Sequence, residues 1–187
     1  MFLSYSFTHR RVEFALLEQL ARAERQIALA IDSPAYADGS VILATCNRFE
    51  IYLETSEERA ALLPALLAES TDLPVEMLDA AAETRRGDAV SGHVFGVAAG
   101  LDSVALGEEE IAGQLRRAHV AAAARGTLTD GLERLFQAAA RTGRAVRART
   151  SIRATGRSLV QLALQRAAPA LPPWREVRVL LIGTGAY

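Results

Sequence analysis

Runs of hydrophobic residues at strand and helix spacing divide the chain into a mixed first part and a helical second part. In the first part, strands are predicted over residues 2–7, 41–45 and 49–54, and near 80–85. Helices are predicted over residues 12–30 and 57–69, the second capped by Ser56. This order predicts an α+β fold, a ferredoxin-like antiparallel sheet with helices on one face.

The second part has helical spacing from Asp88 onward. Helices are predicted from Asp88 to a break at 100–107, then over 108–125, over Asp130 to about Arg149, and over 156–168. Val177 to Ile182 forms an apolar run that leads into Gly183-Thr184-Gly185, as at the start of a dinucleotide-binding domain. The expected divisions are a domain over 1–153, a helix and linker over 154–175, and the first strand of an incomplete Rossmann domain over 176–187.

Composition limits the class of protein. Half of the 187 residues are hydrophobic and the formal net charge is −1, so the total charge indicates no partner. The single cysteine excludes an internal disulfide and is typical of a protein from a reducing cytoplasm. No run has the length of a membrane span. The 3 histidines and 1 cysteine lack the close spacing of a metal site, so no metal is predicted.

Two residues suggest chemistry while leaving a structural interpretation open. Cys46 lies in the turn between the strands predicted over 41–45 and 49–54, two residues before Arg48, and a thiol beside a fixed positive charge can become a nucleophile. A lone cysteine among apolar residues can also be a small buried hydrophobe, and Arg48 can be a surface charge. His93, at the edge of an apolar helix stripe, can be a general base or a core histidine.

Two stretches carry a family resemblance. Thr45-Cys46-Asn47-Arg48 with Glu50-Ile51-Tyr52, and residues 93–108 followed by Ile111, Gly113 and Gln114, are similar to glutamyl-tRNA reductase, which starts tetrapyrrole synthesis. The resemblance implies that the thiolate of Cys46 attacks the ester of glutamyl-tRNA to form a thioester. In the full-length enzyme NADPH would then reduce the thioester to glutamate 1-semialdehyde. His93 would have a catalytic role in proton transfer near Cys46.

The resemblance also implies a glutamate pocket. Its expected lining is Thr45, Asn47, Arg48, Ser103, Glu108, Glu109, Glu110 and Gln114. Arg48 can pair with the substrate carboxylate, and the acids can meet its α-ammonium group. Glu109-Glu110 replaces the Pro-Gln usual in the family, and acids in a first helical turn also interact favourably with the helix dipole.

The cofactor and partners follow from the same resemblance. Gly183 and Gly185 would contact NADPH, although the cofactor is not expected to bind the 187 residues alone because the motif stops after its second glycine. The full-length enzyme is expected to act in the cytoplasm as a homodimer joined through a C-terminal domain. No membrane partner is expected.

A basic segment supports a polyanionic partner. Between Arg134 and Arg157 the sequence has seven arginines and no acid, and a field of one sign attracts phosphate backbones. The same pattern is typical of a helix with a solvated basic face. The alternative function is therefore a non-catalytic, arginine-rich module that binds tRNA or a partner protein, with Cys46 in a structural role.

Overall fold

The computed structural model describes residues 1–103, 109–150 and 159–180. Its strands are β1 (Phe2–Thr8), β2 (Gly39–Ala44), β3 (Arg48–Glu54) and β4 (Glu83–Arg86). Its helices are α1 (Phe14–Arg22), α2 (Glu24–Ile31), α3 (Glu57–Ala60), α4 (Leu63–Thr71), α5 (Val75–Ala81), α6 (Asp88–Ala99), α7 (Glu109–Arg125), α8 (Asp130–Arg149) and α9 (Leu159–Ala167). Short 3₁₀ turns follow at Ala168–Ala170 and Trp174–Glu176.

The strands form one antiparallel sheet in the order β2-β3-β1-β4. In the centre of the sheet, Ile51 of β3 lies opposite both Ile42 of β2 and Tyr5 of β1. The edge strand β4 pairs with β1 and places Arg85 opposite Ser4. A βαββαβ chain with this strand order has the ferredoxin-like arrangement, so the predicted α+β fold is confirmed.

Helices cover both faces of the sheet, whereas the sequence analysis placed them on one face. Ile42 and Ile51 belong to a core formed with α1, α2 and α4, and Val41, Leu43 and Tyr52 belong to a second core formed with α6, α7 and α8. An unbroken apolar run such as that of β2 is typical of a strand buried on both faces. The later helices provide the second cover.

Two predicted helices are each interrupted once. The segment 12–30 forms α1 and α2, which meet at Ala23 with φ −84° and ψ −1°. The segment 57–69 forms α3 and α4, and Pro64 lies in the first turn of α4, where no N–H is required. Ser56 caps α3 as predicted, by accepting a backbone N–H at 3.3 Å. Apolar spacing alone does not reveal such breaks, because the buried stripe continues on both sides.

The helices of the second core meet at a close crossing. A Cβ atom on Gly143 of α8 would lie 2.3 Å from the carbonyl oxygen of Ala98 in α6, so a side chain at this position would force the helices apart. Helix α7 ends before Gly126, whose φ of +74° suits glycine and confirms the predicted stop. Helix α8 spans the predicted Asp130–Arg149.

The strand predicted from Val177 onward is not formed in its described part. Residues 177–180 belong to no strand, and Val179 and Leu180 are 69% and 82% exposed. A buried parallel strand depends on neighbouring strands for its hydrogen bonds. Residues 181–187, which include Gly183 and Gly185, lie outside the described residues, and the predicted domain boundaries stay predictions.

Two kinds of feature are absent from the described ranges. No helix among these residues combines the length and the apolar character that crossing a lipid bilayer requires. The same residues contain no group of three or more His, Cys, Asp or Glu side chains that could hold a metal ion.

Candidate active site

The turn between β2 and β3 is held by the side chain and backbone of Thr45. Its Oγ1 accepts the N–H groups of Asn47 at 3.2 Å and Arg48 at 3.1 Å. Its own N–H donates to the Arg48 carbonyl at 2.9 Å. These bonds close the turn around Cys46, as expected of a threonine whose hydroxyl replaces a backbone acceptor. Thr45 therefore fixes the conformation that presents the thiol.

Cys46 is exposed at the tip of this turn and lines a cavity of about 400 Å³. Besides Thr45 and Ala44, the cavity is lined by Phe14, Leu17, Glu18, Ala21 and Glu24 from α1 and α2. The pKa of the Glu24 carboxyl is raised above its ordinary value, because the effect of burial exceeds the opposing effect of the Arg125 positive charge. The volume lies in the range of small-molecule sites. The exposure excludes the interpretation of Cys46 as a buried packing residue.

The turn is also tied to the end of β1. The N–H of His9 donates to the Asn47 carbonyl at 2.9 Å, and the His9 Nδ1 lies 3.3 Å from the same oxygen. The His9 ring stacks on Phe14, with ring centroids 6.5 Å apart. The carbonyl of Asn47, rather than its side chain, is thus the group that anchors the turn. The substrate role predicted for Asn47 stays a prediction.

Glu50 is the centre of a buried polar network beneath the turn. Its carboxylate is fully buried and receives Arg48 Nη1 at 3.1 Å, His93 Nε2 at 3.1 Å, and the hydroxyl of Tyr52. Arg48, Glu50 and Tyr52 alternate along β3 and therefore project on one face, toward α6. The network brings together the predicted site residues Arg48 and His93.

The charge state of this network is set by its contacts. Burial alone would raise the pKa of Glu50, but the His93 hydrogen bond, the charges of Arg48 and His93, and the Tyr52 hydroxyl together hold it below its ordinary value of 4.5. Burial, the Glu50 charge and the hydrogen bond to Glu50 raise the pKa of Tyr52 well above 10.0. At neutral pH Glu50 is therefore a carboxylate and Tyr52 a neutral donor.

Arg48 is almost entirely enclosed, with 3% of its surface exposed. In addition to Glu50, its Nη1 lies 3.5 Å from Asp102 Oδ2, and its Nη2 donates to the Asp102 carbonyl. Arg48 is therefore not the surface charge that the residues alone allowed. Its guanidinium is already paired with two carboxylates. Asp102 is the more exposed of the two, at 32% against 0% for Glu50.

His93 lies between two carboxylates on the α6 face of the sheet. Its side chain is 6% exposed, with Nε2 on Glu50 and Nδ1 4.0 Å from Asp102 Oδ2. The ring of Tyr52 stacks on it at 6.2 Å. Each ring nitrogen of His93 therefore faces a carboxylate. The contacts connect His93 to the cysteine turn through Glu50 and Arg48.

The other predicted pocket residues lie in and around two helices. Ser103 is 7% exposed, and its carbonyl accepts Arg10 Nη2 at 3.5 Å, while Arg10 Nη1 also pairs with Asp102 at 3.1 Å. Gln114 donates to Glu110 within α7 at 3.4 Å. Glu108 and the side chain of Glu109 lie outside the described residues. The described contacts thus bring Ser103 to the network.

Sequence reasoning did not assign four acidic residues of this region. Glu50 and Asp102 organise Arg48 and His93, and Glu18 and Glu24 line the cavity of Cys46. Glu50 stands in the quoted motif, and its strand alternation with Arg48 is the signal that could have placed it on the same face. The other three become neighbours only through the tertiary fold.

The fold and this site define a class of protein. It is a ferredoxin-like α+β domain that presents an accessible thiol from a strand–strand turn above a buried Arg–Glu–His network. Residues 5–150 match the sequence model of the family described as "Glutamyl-tRNAGlu reductase, N-terminal domain". The chain belongs to this family, and the resemblance seen in its motifs is confirmed.

Named relatives agree with this assignment. The glutamyl-tRNA reductase of Clavibacter michiganensis subsp. michiganensis is 43% identical over 199 residues, covering 100% of this chain and 44% of the relative. That of Pseudarthrobacter chlorophenolicus is 42% identical over 190 residues, covering 96% and 43%. The solved glutamyl-tRNA reductase from Methanopyrus kandleri matches with a TM-score of 0.64 and 30% identity, covering 88% of this chain and 39% of that one. The chain therefore spans less than half the length of these relatives.

Proposed function

We propose that the chain is the catalytic part of a glutamyl-tRNA reductase and that Cys46 is its nucleophile. The exposure of Cys46 beside the 400 Å³ cavity is the observation that carries this proposal. A cysteine with only a packing role would be expected inside a core, whereas a nucleophile has to reach its substrate. The names of the relatives support glutamyl-tRNA as the substrate.

The proposed step on this chain is an acyl transfer. The thiolate sulfur of Cys46 adds to the ester carbonyl carbon of glutamyl-tRNA, and an S–C bond forms. The ester C–O bond then breaks, and the ribose oxygen leaves as a hydroxyl after taking up a proton. The product on the protein is a glutamyl thioester. The thiol proton lost at the start balances the proton gained by the leaving tRNA.

His93 is proposed to carry that proton. Glu50 fixes its Nε2 and Asp102 faces its Nδ1, so the imidazolium formed on proton uptake stays next to negative charge. Arg48 is proposed to attract the substrate carboxylate in exchange for Asp102. Thr45, Asn47, Ser103, Glu108, Glu109, Glu110 and Gln114 are proposed to line the glutamate pocket.

NADPH supplies the hydride that reduces the thioester to glutamate 1-semialdehyde in the full-length enzyme. The glycines predicted to contact it, Gly183 and Gly185, lie outside the described residues. No part of the reduction is assigned to the described residues. Their proposed part ends at the thioester.

The decisive experiment is acid-quenched labelling with radiolabelled glutamyl-tRNA in the absence of NADPH. Wild-type protein is expected to retain label that hydroxylamine removes, because a thioester is cleaved by this nucleophile. The matched Cys46→Ser variant, checked for its fold by circular dichroism, is expected to retain none. Equal label on both proteins, or none on either with the ester intact, would contradict the nucleophile assignment.

A second candidate function is a non-catalytic module that binds tRNA or a partner protein. The arginines of α8 are the observation that favours it. The two candidates differ at Cys46→Ser. This change abolishes the covalent chemistry of an enzyme but leaves a binding module unaltered, and it is expected to leave tRNA affinity intact in both cases.

A further inference from the structure

A second cavity lies away from the cysteine turn, in the groove between α7 and α8. It has a volume of about 470 Å³. We call it the arginine groove, because Arg116 of α7 and Arg141, Arg144 and Arg147 of α8 line it. The three arginines of α8 are three residues apart and therefore share one side of the helix. Two helices thus direct positive charge into one opening.

Most of this charge is not neutralised by the protein. Within the described part of the chain, Arg116, Arg141 and Arg144 are exposed and make no ion pair. Arg147 differs from them, since its Nη1 donates to the Ala98 carbonyl at 2.6 Å. Glu133 pairs with the groove residue His119 at 2.7 Å rather than with these arginines. Three guanidinium groups therefore remain available to an anionic ligand.

The floor of the groove indicates how a ligand would be held. The lining includes the small residues Ala98, Ala112, Gly113 and Ala140, which leave space between the helices. Two rings line the groove, Phe136 and His119, and they stack on each other with centroids 6.0 Å apart. Phe136 is also 2% exposed and packs edge-on against Tyr52 at 5.3 Å, so it offers no open face for stacking a base. The chemistry presented is that of charge and donors for phosphate oxygens.

We propose that the arginine groove binds the phosphate backbone of the tRNA substrate. This inference rests on the proposed function and adds to it a place of contact on α7 and α8. An extended polyanion fits better than a small phosphate ester, because Arg134 and Arg149 continue the positive charge along α8 on both sides of the groove. The formal net charge of the whole chain is only −1, so this field is local and not a property of the entire surface.

The test compares two triple variants in a Cys46→Ser background, using dye-labelled deacylated tRNA and fluorescence anisotropy. The groove variant is Arg116→Gln, Arg141→Gln and Arg144→Gln. The matched control is Arg25→Gln, Arg166→Gln and Arg178→Gln, exposed positions outside α7 and α8. Both variants lose three positive charges. Titrations run at several salt concentrations, and thermal melts check that each variant is folded.

The groove variant is expected to bind at least about tenfold more weakly, and its slope of log K against log salt is expected to fall by about two to three. The control is expected to lose clearly less. Equal losses in the two variants would overturn the groove as a site, because only net charge would matter. If the groove variant does not fold, the single variants Arg144→Gln and Arg25→Gln give the same comparison.

Two further arms separate this inference from its alternatives. If millimolar inorganic phosphate displaces tRNA from the wild type at constant ionic strength, the groove takes a small phosphorylated ligand and the RNA assignment is wrong. The proposed chemistry can fail separately. If wild-type protein takes up no label at Cys46 but the two triple variants still differ in tRNA affinity, the nucleophile assignment is overturned and the arginine groove stands.

Discussion

Glu50 connects three side chains that are spread along the chain. Arg48 and Tyr52 reach it from the same strand, and His93 reaches it from α6, 43 residues later. Removing one partner of a buried charge pair is costly, since the remaining charge stays in a medium of low dielectric constant. The network therefore holds the residues beneath the cysteine turn in one arrangement, because another packing would leave a buried charge unpaired.

A substitution at Glu50 should change how the free energy of unfolding depends on pH. Glu50→Gln is expected to lower the free energy of unfolding at pH 7 by about 3–5 kcal/mol. Because the folded-state pKa of Glu50 lies below 4.5, its contribution is fully present above that pH and is lost as the pH falls through the folded-state value. The gap between wild type and variant, measured by urea unfolding from pH 7 to pH 3, should therefore narrow in acid.

The exposed residue Glu58 on α3 provides the control. Glu58→Gln should change the free energy of unfolding by no more than about 0.5 kcal/mol. A gap for Glu50→Gln that stays constant with pH would show that the carboxylate charge is not what stabilises the network.

The thiol of Cys46 gives a second prediction at the same scale. Because the residue is exposed, a disulfide reagent such as DTNB should modify one thiol per chain in the native protein, without a lag and at a rate close to that in urea. Cys46→Ser should give no signal, as it removes the single cysteine. Modification that occurs only after unfolding would mean that the turn hides the thiol.

The crossing of α6 and α8 shows how one position sets the distance between two elements. A methyl group on Gly143 would meet the Ala98 carbonyl oxygen at 2.3 Å, and backbone cannot yield as a flexible side chain does. Gly143→Ala is expected to lower the free energy of unfolding by about 1–3 kcal/mol through overpacking, measured by urea denaturation.

Gly92 of α6 is the matched control. A Cβ atom there would meet nothing within 4 Å, so Gly92→Ala should stabilise the protein by about 0.5–1 kcal/mol through helix propensity. Opposite signs for the two changes are expected. Stabilisation by both would show that the helices cross less closely than described.

Prediction from sequence succeeded where the signal was local. Helix α8 has the predicted bounds because its capping residue, Thr129, and its apolar stripe depend only on residues close together in the sequence. The breaks at Ala23 and before Pro64 were missed because the apolar stripe continues across them. The contacts of Glu50 and Asp102 with His93 could not be predicted, since they join separate elements through the sheet and its second layer of helices.

Both cores of the described molecule share one sheet. All of their residues lie between Leu3 and Ala139, and neighbouring β3 residues such as Ile51 and Tyr52 contribute to opposite cores. Two layers that meet on the same strands are expected to unfold together rather than as separate units.

A truncation after Thr150 tests this at the scale of the molecule. Removal of residues 151–187 is expected to leave a single urea transition with nearly unchanged midpoint, because neither described core includes a residue beyond Ala139. Removal from Asp130 onward deletes α8 and should abolish cooperative unfolding. Two separate transitions in the 1–150 chain, followed by circular dichroism and tyrosine fluorescence, would contradict the shared-sheet interpretation.

The C-terminal end of α6 lies between the two proposed sites and contacts both. The carbonyl of Ala98 accepts a hydrogen bond from Arg147 at the arginine groove. The carbonyl of Asp102, shortly after the helix, accepts one from Arg48 beneath the cysteine turn. A ligand that displaced this helix end from one side would shift an acceptor on the other. Binding of one ligand in the groove and of another at the cysteine turn would then be thermodynamically linked. Each ligand would change the apparent affinity of the other by the same factor.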